Sequence, residues 1–259
     1  MTFSFFFSRE ASMGLRMSSP IGTTRTVIRP LYALLAPDGR VNSVLPGWNG
    51  CTVWIQISSA IGAGFCQILI DLPKGAAGQG NLWGLEWCIY VVSGQVLVNK
   101  EKLSEGHYAF LPPGSDYAIR GVGKNSRILI FQKRYEPIAE VNAPCALFGD
   151  ASKIEGTPFL GDPNLRIRQL LPDTLEFDLA VNISTYDPGA TLPFVETHIM
   201  EHGLLMLEGA GVYRLSDDWY PVQTGDAIWM AAYCPQWFVA TGKTPASYAY
   251  HKDVNRSPL

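Results

Sequence analysis

Two of the four histidines in this chain of 259 residues lie in the segment FVETHIMEHG at residues 194–203. His198 and His202 are accompanied there by Glu196. Along a β-strand these three side chains, at even spacings, project from the same face. Burying a carboxylate and two imidazoles together is costly without a partner, and a divalent metal ion would satisfy all three. The spacing therefore predicts a metal site on this segment.

Two other interpretations of the segment stay open at this point. HIMEH also fits the H-x-x-E-H motif of inverted zinc peptidases, in which a helix presents both histidines and Glu201 is the base. A helix is disfavoured because Gly203, Gly209 and Gly211 follow closely and the surrounding apolar pattern has a period near two. In the second alternative the histidines are ordinary half-buried side chains and Glu196 lies at the surface.

The elements that would position these residues are short strands. Strand-like runs such as WCIYVVSG, RILIFQK and GLLMLEG are separated by turns rich in glycine, proline or charge. Short strands at regular intervals are typical of β-sandwiches and barrels. We therefore predict an all-β fold with few short helices.

The chain also contains an internal repeat, which predicts two similar barrels. EGHYAFLPPGSDYAI at 105–119 aligns with TGDAIWMAAYCPQWF at 224–238, and the same offset makes Lys133 and Lys252 counterparts. The joint is expected in EVNAPCALFGDASKIEGTP, which is rich in proline, glycine and small residues. The predicted parts are a loose N-terminal tail at 1–29, an N-terminal barrel at 30–148 and a C-terminal barrel at 149–259.

The composition excludes several classes of function. The net charge is −3 and the pI is about 5.8, and the sequence lacks the basic stripe of a nucleic-acid binder. It also lacks a run of 18 apolar residues, so a membrane-spanning helix is not expected. The five cysteines are odd in number and scattered through apolar contexts, which favours buried free thiols in a reducing compartment. We expect a cytoplasmic protein that binds neither nucleic acid nor membranes.

The metal-site segment resembles the first motif of the cupin fold, H-x-H-x(3,4)-E-x(6)-G. Glu196-x-His198-x(3)-His202-x(6)-Gly209 fills that frame with the ligand types permuted. In the second cupin motif, G-x(5)-P-x-G-x(2)-H-x(3)-N, counting from Gly225 places Gln236 at the histidine position. The resemblance implies a bicupin, which consists of two tandem double-stranded β-helix (jelly-roll) barrels.

The first repeat keeps the frame of the second cupin motif but lacks the ligands. Gly106, Pro112 and Gly114 occupy the glycine and proline positions. The positions of the ligands carry Asn81, Trp83, Trp87 and Tyr117. We therefore expect the N-terminal barrel to be metal-free and the C-terminal barrel to carry the metal site.

A glutamate, two histidines and a glutamine in the second barrel of a bicupin resemble the ligand set of the (S)-ureidoglycine aminohydrolase family. The likeness is densest from Val195 to Phe238 and in the tail YHKDVNRSPL. It implies manganese-dependent hydrolysis of (S)-ureidoglycine to (S)-ureidoglycolate and ammonia in allantoin (purine) catabolism. It also implies a homo-oligomer that binds a small-molecule substrate. The implied metal ligands are Glu196, His198, His202 and Gln236, and the implied active-site residues are Tyr213, Tyr248 and Lys252.

The chemistry of these residues agrees with the resemblance. One carboxylate, two imidazoles and one amide oxygen form a fairly hard ligand set that suits Mn²⁺ or Fe²⁺ better than structural zinc. Four protein ligands on an octahedral ion leave two positions at which an α-substituted glycine could chelate. We expect Lys252 to transfer protons. Tyr248, four residues earlier on the same strand face, and Tyr213 would orient the substrate or donate hydrogen bonds to it.

Two alternative functions stay open. One is another bicupin reaction of the decarboxylase or dioxygenase type, although those enzymes usually use three histidines and a glutamate, often in both halves. The other is a non-catalytic cupin that binds a small metabolite. Such regulators usually carry a helical DNA-reading domain and positive charge, and the sequence shows neither.

Overall fold

The computed structural model describes residues 24–256, which form an all-β protein. Its helices are three short 3-10 turns, Pro37–Gly39, Ser59–Ile61 and Ala151–Lys153, and residues 24–256 contain no α-helix. The predicted all-β fold with few short helices is confirmed. Residues 1–23 of the predicted tail lie outside the described residues.

The described residues contain 22 strands, which are short and evenly distributed along the chain. In chain order they are β1 Val27–Ile28, β2 Tyr32–Leu35, β3 Trp48–Asn49, β4 Thr52–Ile57, β5 Cys66–Pro73, β6 Ala77–Asn81, β7 Leu85–Ser93, β8 Gln95–Val98, β9 Glu101–Ser104, β10 His107–Leu111, β11 Asp116–Gly121, β12 Asn125–Arg134, β13 Leu147–Asp150, β14 Thr157–Phe159, β15 Asp162–Gln169, β16 Leu179–Tyr186, β17 His202–Glu208, β18 Ala210–Leu215, β19 Asp218–Gln223, β20 Ala227–Met230, β21 Gln236–Thr241 and β22 Ala246–Asp253.

The strands form four antiparallel sheets, one large and one small sheet in each barrel. In the first barrel the large sheet has the order β13-β10-β7-β12-β5-β4 and the small sheet β3-β6-β11-β8-β9. In the second barrel the large sheet has the order β1-β2-β20-β17-β22-β16-β15-β14 and the small sheet β19-β18-β21. The run β10-β7-β12-β5-β4 in the first barrel matches β20-β17-β22-β16-β15 in the second, so the predicted repeat is present in the fold.

The turns of the two copies also correspond. Gly94 and Gly209 follow β7 and β17, where the chain passes from the large sheet to the small one, with φ of 76° and 73°. Gly106 and Gly225 precede β10 and β20 with φ of 81° and 92°. Glycine reaches such positive φ values without the steric cost that a Cβ brings, which explains why the repeat keeps these residues.

The large sheets are buried on both faces, which explains their continuous apolar runs. In β7, Trp87, Ile89 and Val91 belong to the core inside the first barrel. The alternate residues Cys88 and Tyr90 belong to a separate core between the large sheets of the two barrels. A third core fills the second barrel. Because the middle core is shared, the two barrels pack as one body.

Each large sheet is completed by a strand from the chain segment that precedes the other barrel. In β2, Leu34 pairs with Ile228 of β20, in the second barrel. In β13, Gly149 pairs with Tyr108 of β10, in the first barrel. The sheets therefore differ from the predicted ranges 30–148 and 149–259, because long-range pairing places β2 in the second barrel and β13 in the first.

The last residues of the predicted tail at 1–29 are also part of the second barrel. Arg25 forms an ion pair with the fully buried Asp226, with Nη2 2.7 Å from Oδ1. In β1, Val27 pairs with Leu34 of β2. The description of the tail as loose is therefore wrong for residues 24–29, which the ion pair and the strand pairing fix to the sheet.

Lys133 and Lys252, which the sequence offset made counterparts, lie on opposite faces of their sheets. Lys133 points into the region between the barrels, where its Nζ is 3.1 Å from Asp253 Oδ1. Lys252 points into the second barrel. In the strand pairing, Lys252 lies opposite His202, and Gln132 lies opposite Trp87, the first-barrel counterpart of His202. The counterpart of Lys252 is therefore Gln132, one residue before Lys133, and a displacement of one residue moves a side chain to the other face of a sheet. The predicted equivalence is wrong for this reason.

Two further sequence predictions concern the membrane and the cysteines. Across residues 24–256, no helix combines the length and apolar character needed to span a bilayer. All five cysteines are free thiols, as predicted. Cys88 and Cys234 are buried, but Cys145 is exposed because it lies in the segment that joins the barrels, so the prediction of burial is wrong there.

Candidate metal centre

A cavity of about 200 Å³ opens inside the second barrel. All seven predicted site residues line it, although they come from four strands and one connecting segment. They are Glu196, His198, His202, Tyr213, Gln236, Tyr248 and Lys252. The structure therefore brings the whole predicted constellation together in one place.

The segment that carries the first two predicted ligands is neither a strand nor a helix. Glu196 forms a single β-bridge with Gln236, with N–O distances of 2.8 and 2.9 Å in the two directions. His202 is the first residue of β17, in the large sheet. Residues 197–201 cross from the small sheet to the large one, which is why the predicted strand over 194–203 and its helical alternative are both wrong. The predicted convergence nevertheless occurs, because the crossing turns His198 into the cavity.

Three nitrogen-bearing side chains meet at one point in this cavity. The Gln236 Nε2 atom lies 3.0 Å from His198 Nε2 and 3.3 Å from His202 Nδ1. The Gln236 Oε1 atom accepts a hydrogen bond of 3.1 Å from the Tyr213 hydroxyl. His198 Nδ1 lies 3.0 Å from the Met200 carbonyl oxygen, a contact that requires a proton on Nδ1 and leaves a lone pair on Nε2 toward the cavity.

The donor set at this point fits a divalent cation. Two imidazole nitrogens converge on the Gln236 amide, and rotation of that amide by half a turn would present its oxygen to them. The remaining nitrogen of His202, Nε2, is buried without a hydrogen-bond partner. Among residues 24–256, no three His, Cys, Asp or Glu side chains are already arranged around a common ion position. The site therefore depends on the amide as a donor, with Glu196 on the cavity wall as the carboxylate.

Burial sets the protonation of the candidate ligands. Burial lowers the pKa of His202 well below its ordinary value, and the neighbouring His198 and Lys252 lower it further. Burial also lowers the pKa of His198. Both imidazoles are therefore neutral at neutral pH, the form that binds a metal. Burial raises the pKa of Glu196, and the charge of Lys252, which lines the same cavity, opposes this effect.

The cavity wall opposite the histidines is formed by phenol groups. Tyr213 and Tyr248 are almost fully buried, and burial raises the pKa of each, so both hydroxyls stay protonated. The Tyr248 and Tyr186 hydroxyls lie 2.7 Å apart. Lys252 pairs with His202 across β22 and β17, which puts its side chain next to the candidate ligand.

Comparisons with known proteins agree with the fold and with the family resemblance of the sequence. A family model described as a cupin domain matches residues 182–251. The chain is 39% identical over 245 residues to a rice protein named probable (S)-ureidoglycine aminohydrolase, covering 92% of this chain and 78% of the relative. It is 37% identical over 233 residues to (S)-ureidoglycine aminohydrolase of Escherichia coli K12, covering 87% of this chain and 89% of that protein.

The chain belongs to the (S)-ureidoglycine aminohydrolase family. The sequence resemblance to this family is therefore confirmed.

Solved structures extend the agreement to the backbone. The crystal structure of protein Ylba from E. coli superposes with a TM-score of 0.81 at 34% identity, covering 91% of this chain and 96% of that one. Oxalate decarboxylase from Bacillus subtilis superposes with a TM-score of 0.66 at 11% identity, covering 92% of this chain and 80% of that one. The second match shows the shared bicupin fold alone.

The first barrel of this family member carries aromatic side chains where the second carries candidate ligands. The rings of Trp87 and Tyr117 pack with centroids 4.5 Å apart, and Trp48 lies 6.1 Å from Tyr117. Trp83 is 80% exposed, and the Asn81 amide donates to Asp116 instead of facing a cavity. These contacts fill the space that the ligand positions enclose in the second barrel.

Three polar cavity residues of the second barrel were missing from the sequence predictions. Ser184 and Tyr186 of β16 and Tyr250 of β22 also line the cavity. Their signal was available in part: in LAVNISTY the polar residues Asn182, Ser184 and Tyr186 alternate with apolar ones, which places them on one strand face. The sequence alone did not indicate that this face points toward the histidines.

Proposed function

We propose that this chain hydrolyses (S)-ureidoglycine to (S)-ureidoglycolate and ammonia, with Mn²⁺ held by Glu196, His198, His202 and Gln236. The observation that carries the proposal is the meeting of the Gln236 amide with both histidine nitrogens in the cavity that Lys252 also lines. Relatives 36–39% identical over most of the chain bear the name of this activity. When bound, the ion would supply a Lewis acid and a template for the substrate.

The size and lining of the cavity support a small polar substrate. Its volume of about 200 Å³ is below the ~300–1,000 Å³ that is typical of pockets for drug-sized ligands. Phe159, Leu165 and Ile167, from the β14–β15 hairpin, contribute apolar side chains to the lining. The hydroxyls of Ser184 and Tyr186 and the Lys252 ammonium contribute hydrogen-bond donors.

Lys252 is the residue to which we assign proton transfer. In the reaction the bond from the α-carbon to the amino nitrogen breaks, a bond from the α-carbon to a water oxygen forms, and the departing nitrogen takes a proton. Lys252 lies beside His202 and within electrostatic reach of Glu196, so it borders the reacting carbon of a substrate held at the candidate ligands. It can give its proton to the leaving nitrogen and recover one from the attacking water.

The tyrosines would hold the substrate and the ligand amide in place. The Tyr213 hydroxyl donates to Gln236 Oε1 in the present orientation, and it would accept from Nε2 once the amide oxygen faces the histidines, so it can hold the amide in either orientation. The Tyr248 hydroxyl, paired with that of Tyr186, faces the same cavity. Because burial keeps these phenols protonated, they can donate hydrogen bonds to carboxylate or ureido oxygens of the substrate.

An ammonia assay tests the proposal. Manganese-loaded protein is incubated with allantoate and allantoate amidohydrolase, which generates the unstable substrate in place, and ammonia release is followed against a blank without the protein. We expect release well above the spontaneous rate and retention of the S configuration in the product. Elemental analysis establishes that the protein contains manganese. If such protein does not accelerate ammonia release, the proposed activity is overturned.

A variant separates proton transfer from metal binding. Lys252→Met is expected to lower turnover at least 100-fold, the lower end of what general acid–base groups contribute, while leaving bound manganese unchanged. The same substitution at the exposed Lys102 serves as the matched control. Normal turnover by Lys252→Met would remove the assigned role. Formation of a homo-oligomer and a cytoplasmic location stay predictions.

A further inference from the structure

Glu201 lies between the two candidate histidine ligands but points away from their cavity. Its carboxylate accepts hydrogen bonds from the backbone N–H of Gly64, at 2.9 Å to Oε2 and 3.2 Å to Oε1. It also accepts a hydrogen bond from the indole Nε1 of Trp229. Gly64 belongs to the first barrel and Trp229 to β20 of the second, so one carboxylate connects the crossing segment to both barrels. Glu201 is therefore not placed as the base of a peptidase-type motif, as the helical alternative required.

Because of its position in the chain, Glu201 can influence the conformation of the candidate metal ligands through its hydrogen bonds. It directly precedes His202, the first residue of β17, and follows the irregular residues 197–200. The segment has one other backbone anchor near the site, the hydrogen bond of 2.7 Å from Tyr233 N to the His198 carbonyl oxygen. Residues that are not paired with a neighbouring strand depend on such individual hydrogen bonds for their conformation.

The approach of the two barrels at this point is close. A Cβ atom at Gly64 would lie 3.1 Å from Glu201 Oε2, which is too near for an unstrained contact. The carboxylate faces a second cavity, of about 420 Å³, between the barrels and shares it with Lys133 and Asp253. The Glu201 side chain therefore belongs to the inter-barrel contact and not to the wall of the metal cavity.

We propose that Glu201 is a positioning residue: its bonds to Gly64 and Trp229 hold the crossing segment so that His198 and His202 converge. The first barrel, whose corresponding positions carry aromatic side chains, thus takes part in the metal centre of the second through one backbone N–H. This inference rests on the proposed metal site. Groups that orient metal ligands typically change metal affinity 10- to 100-fold when they are removed.

The test measures metal affinity and folding separately. Purified apo forms of the wild type, Glu201→Ala and Glu201→Gln are titrated with Mn²⁺ while the free ion is followed by its electron paramagnetic resonance signal, and thermal unfolding of each apo protein is recorded. Glu208→Ala is the matched control, because Glu208 is exposed at the other end of β17. We expect an affinity at least 10-fold weaker in Glu201→Ala. We expect substantial recovery in Glu201→Gln, whose amide oxygen still accepts, and no change in Glu208→Ala.

The outcomes distinguish this inference from the proposed function. Wild-type protein that fails to bind Mn²⁺ would overturn the metal site itself. Wild-type binding together with unchanged affinity in Glu201→Ala would overturn only the positioning role. If Glu201→Ala does not fold, Glu201→Met keeps a side chain of similar length but accepts no hydrogen bond from Gly64 or Trp229, and it is expected to weaken Mn²⁺ binding by a similar factor. Unchanged affinity in that variant would equally refute the role.

Discussion

Replacing Lys133 with methionine is expected to destabilise the protein without touching the metal cavity. The Lys133 side chain is 9% exposed, and its Nζ lies 3.1 Å from Asp253 Oδ1 and 3.5 Å from Asp178 Oδ2. It also donates a hydrogen bond of 3.0 Å to the Asp178 carbonyl oxygen. Asp178 is fully buried, as is the neighbouring Glu86, whose pKa is raised by burial and by Asp178. Lys133 is thus the cation of a buried acidic cluster.

The expected loss of stability follows from the carboxylates that the substitution leaves without a cation. Methionine fills most of the space but compensates neither Asp178 nor Asp253, and removing one partner of a buried ion pair costs about 3–5 kcal/mol. For a protein of this size each kcal/mol corresponds to a change of about 2–4 °C in Tm. Lys133→Met should therefore lower Tm by roughly 6–20 °C.

Urea unfolding of the metal-free protein, followed by tryptophan fluorescence, measures the free energy of unfolding, and calorimetry measures Tm. The exposed Lys102 provides the matched control, and Lys102→Met should change stability by less than about 0.5 kcal/mol. A loss below about 1 kcal/mol in Lys133→Met would refute the reasoning, because it would show that the cluster does not need its cation.

Two further variants test other parts of the structure. His251 is fully buried against Phe65, and burial lowers its pKa to about 4. Between about pH 6.5 and 4 the unfolded chain binds more protons at this residue than the folded chain does, so the histidine lowers the free energy of unfolding by about 3 kcal/mol as the pH falls. His251→Phe should therefore make Tm decrease less steeply as the pH falls. An unchanged slope of Tm against pH would contradict this. Tyr213→Phe removes the hydroxyl that contacts the Gln236 amide and would accept from its nitrogen when the amide oxygen faces the ion, so Mn²⁺ titration should show about 10-fold weaker binding. Unaltered affinity would show that the amide does not need this hydroxyl for its orientation.

The sequence predicted the convergence of the candidate site residues better than the local structure around them. The types and spacings of Glu196, His198 and His202 were sufficient to predict convergence, because few arrangements satisfy those groups in an apolar setting. The strand assumed for 194–203 was wrong because the segment has to leave the small sheet at Glu196 and enter the large sheet at His202. That crossing depends on the pairing of Glu196 with Gln236, 40 residues later in the numbering, and local pattern does not encode such a partner.

Dependence on residues distant in the sequence also explains the wrong predictions about the two barrels. Residue offsets aligned Lys133 with Lys252, but strand pairing makes Gln132 the counterpart of Lys252, and a self-comparison of the sequence does not show such a displacement of one residue. The alternation of Ile128 and Ile130 with Leu129 and Phe131 did predict strands, but it did not indicate that the second face packs against another barrel. Interactions distant in sequence, and not propensity, set these features.

The reciprocal placement of β2 and β13 makes the two halves inseparable. A protein made from residues 149–259 alone would lack β2 and would present the N–H and C=O groups of β20 along an open border. Such a border is a template for pairing with another chain. This half could cover β20 in the native way only with a strand from the N-terminal half, so the covalent link between the barrels replaces what would otherwise be an encounter between two molecules.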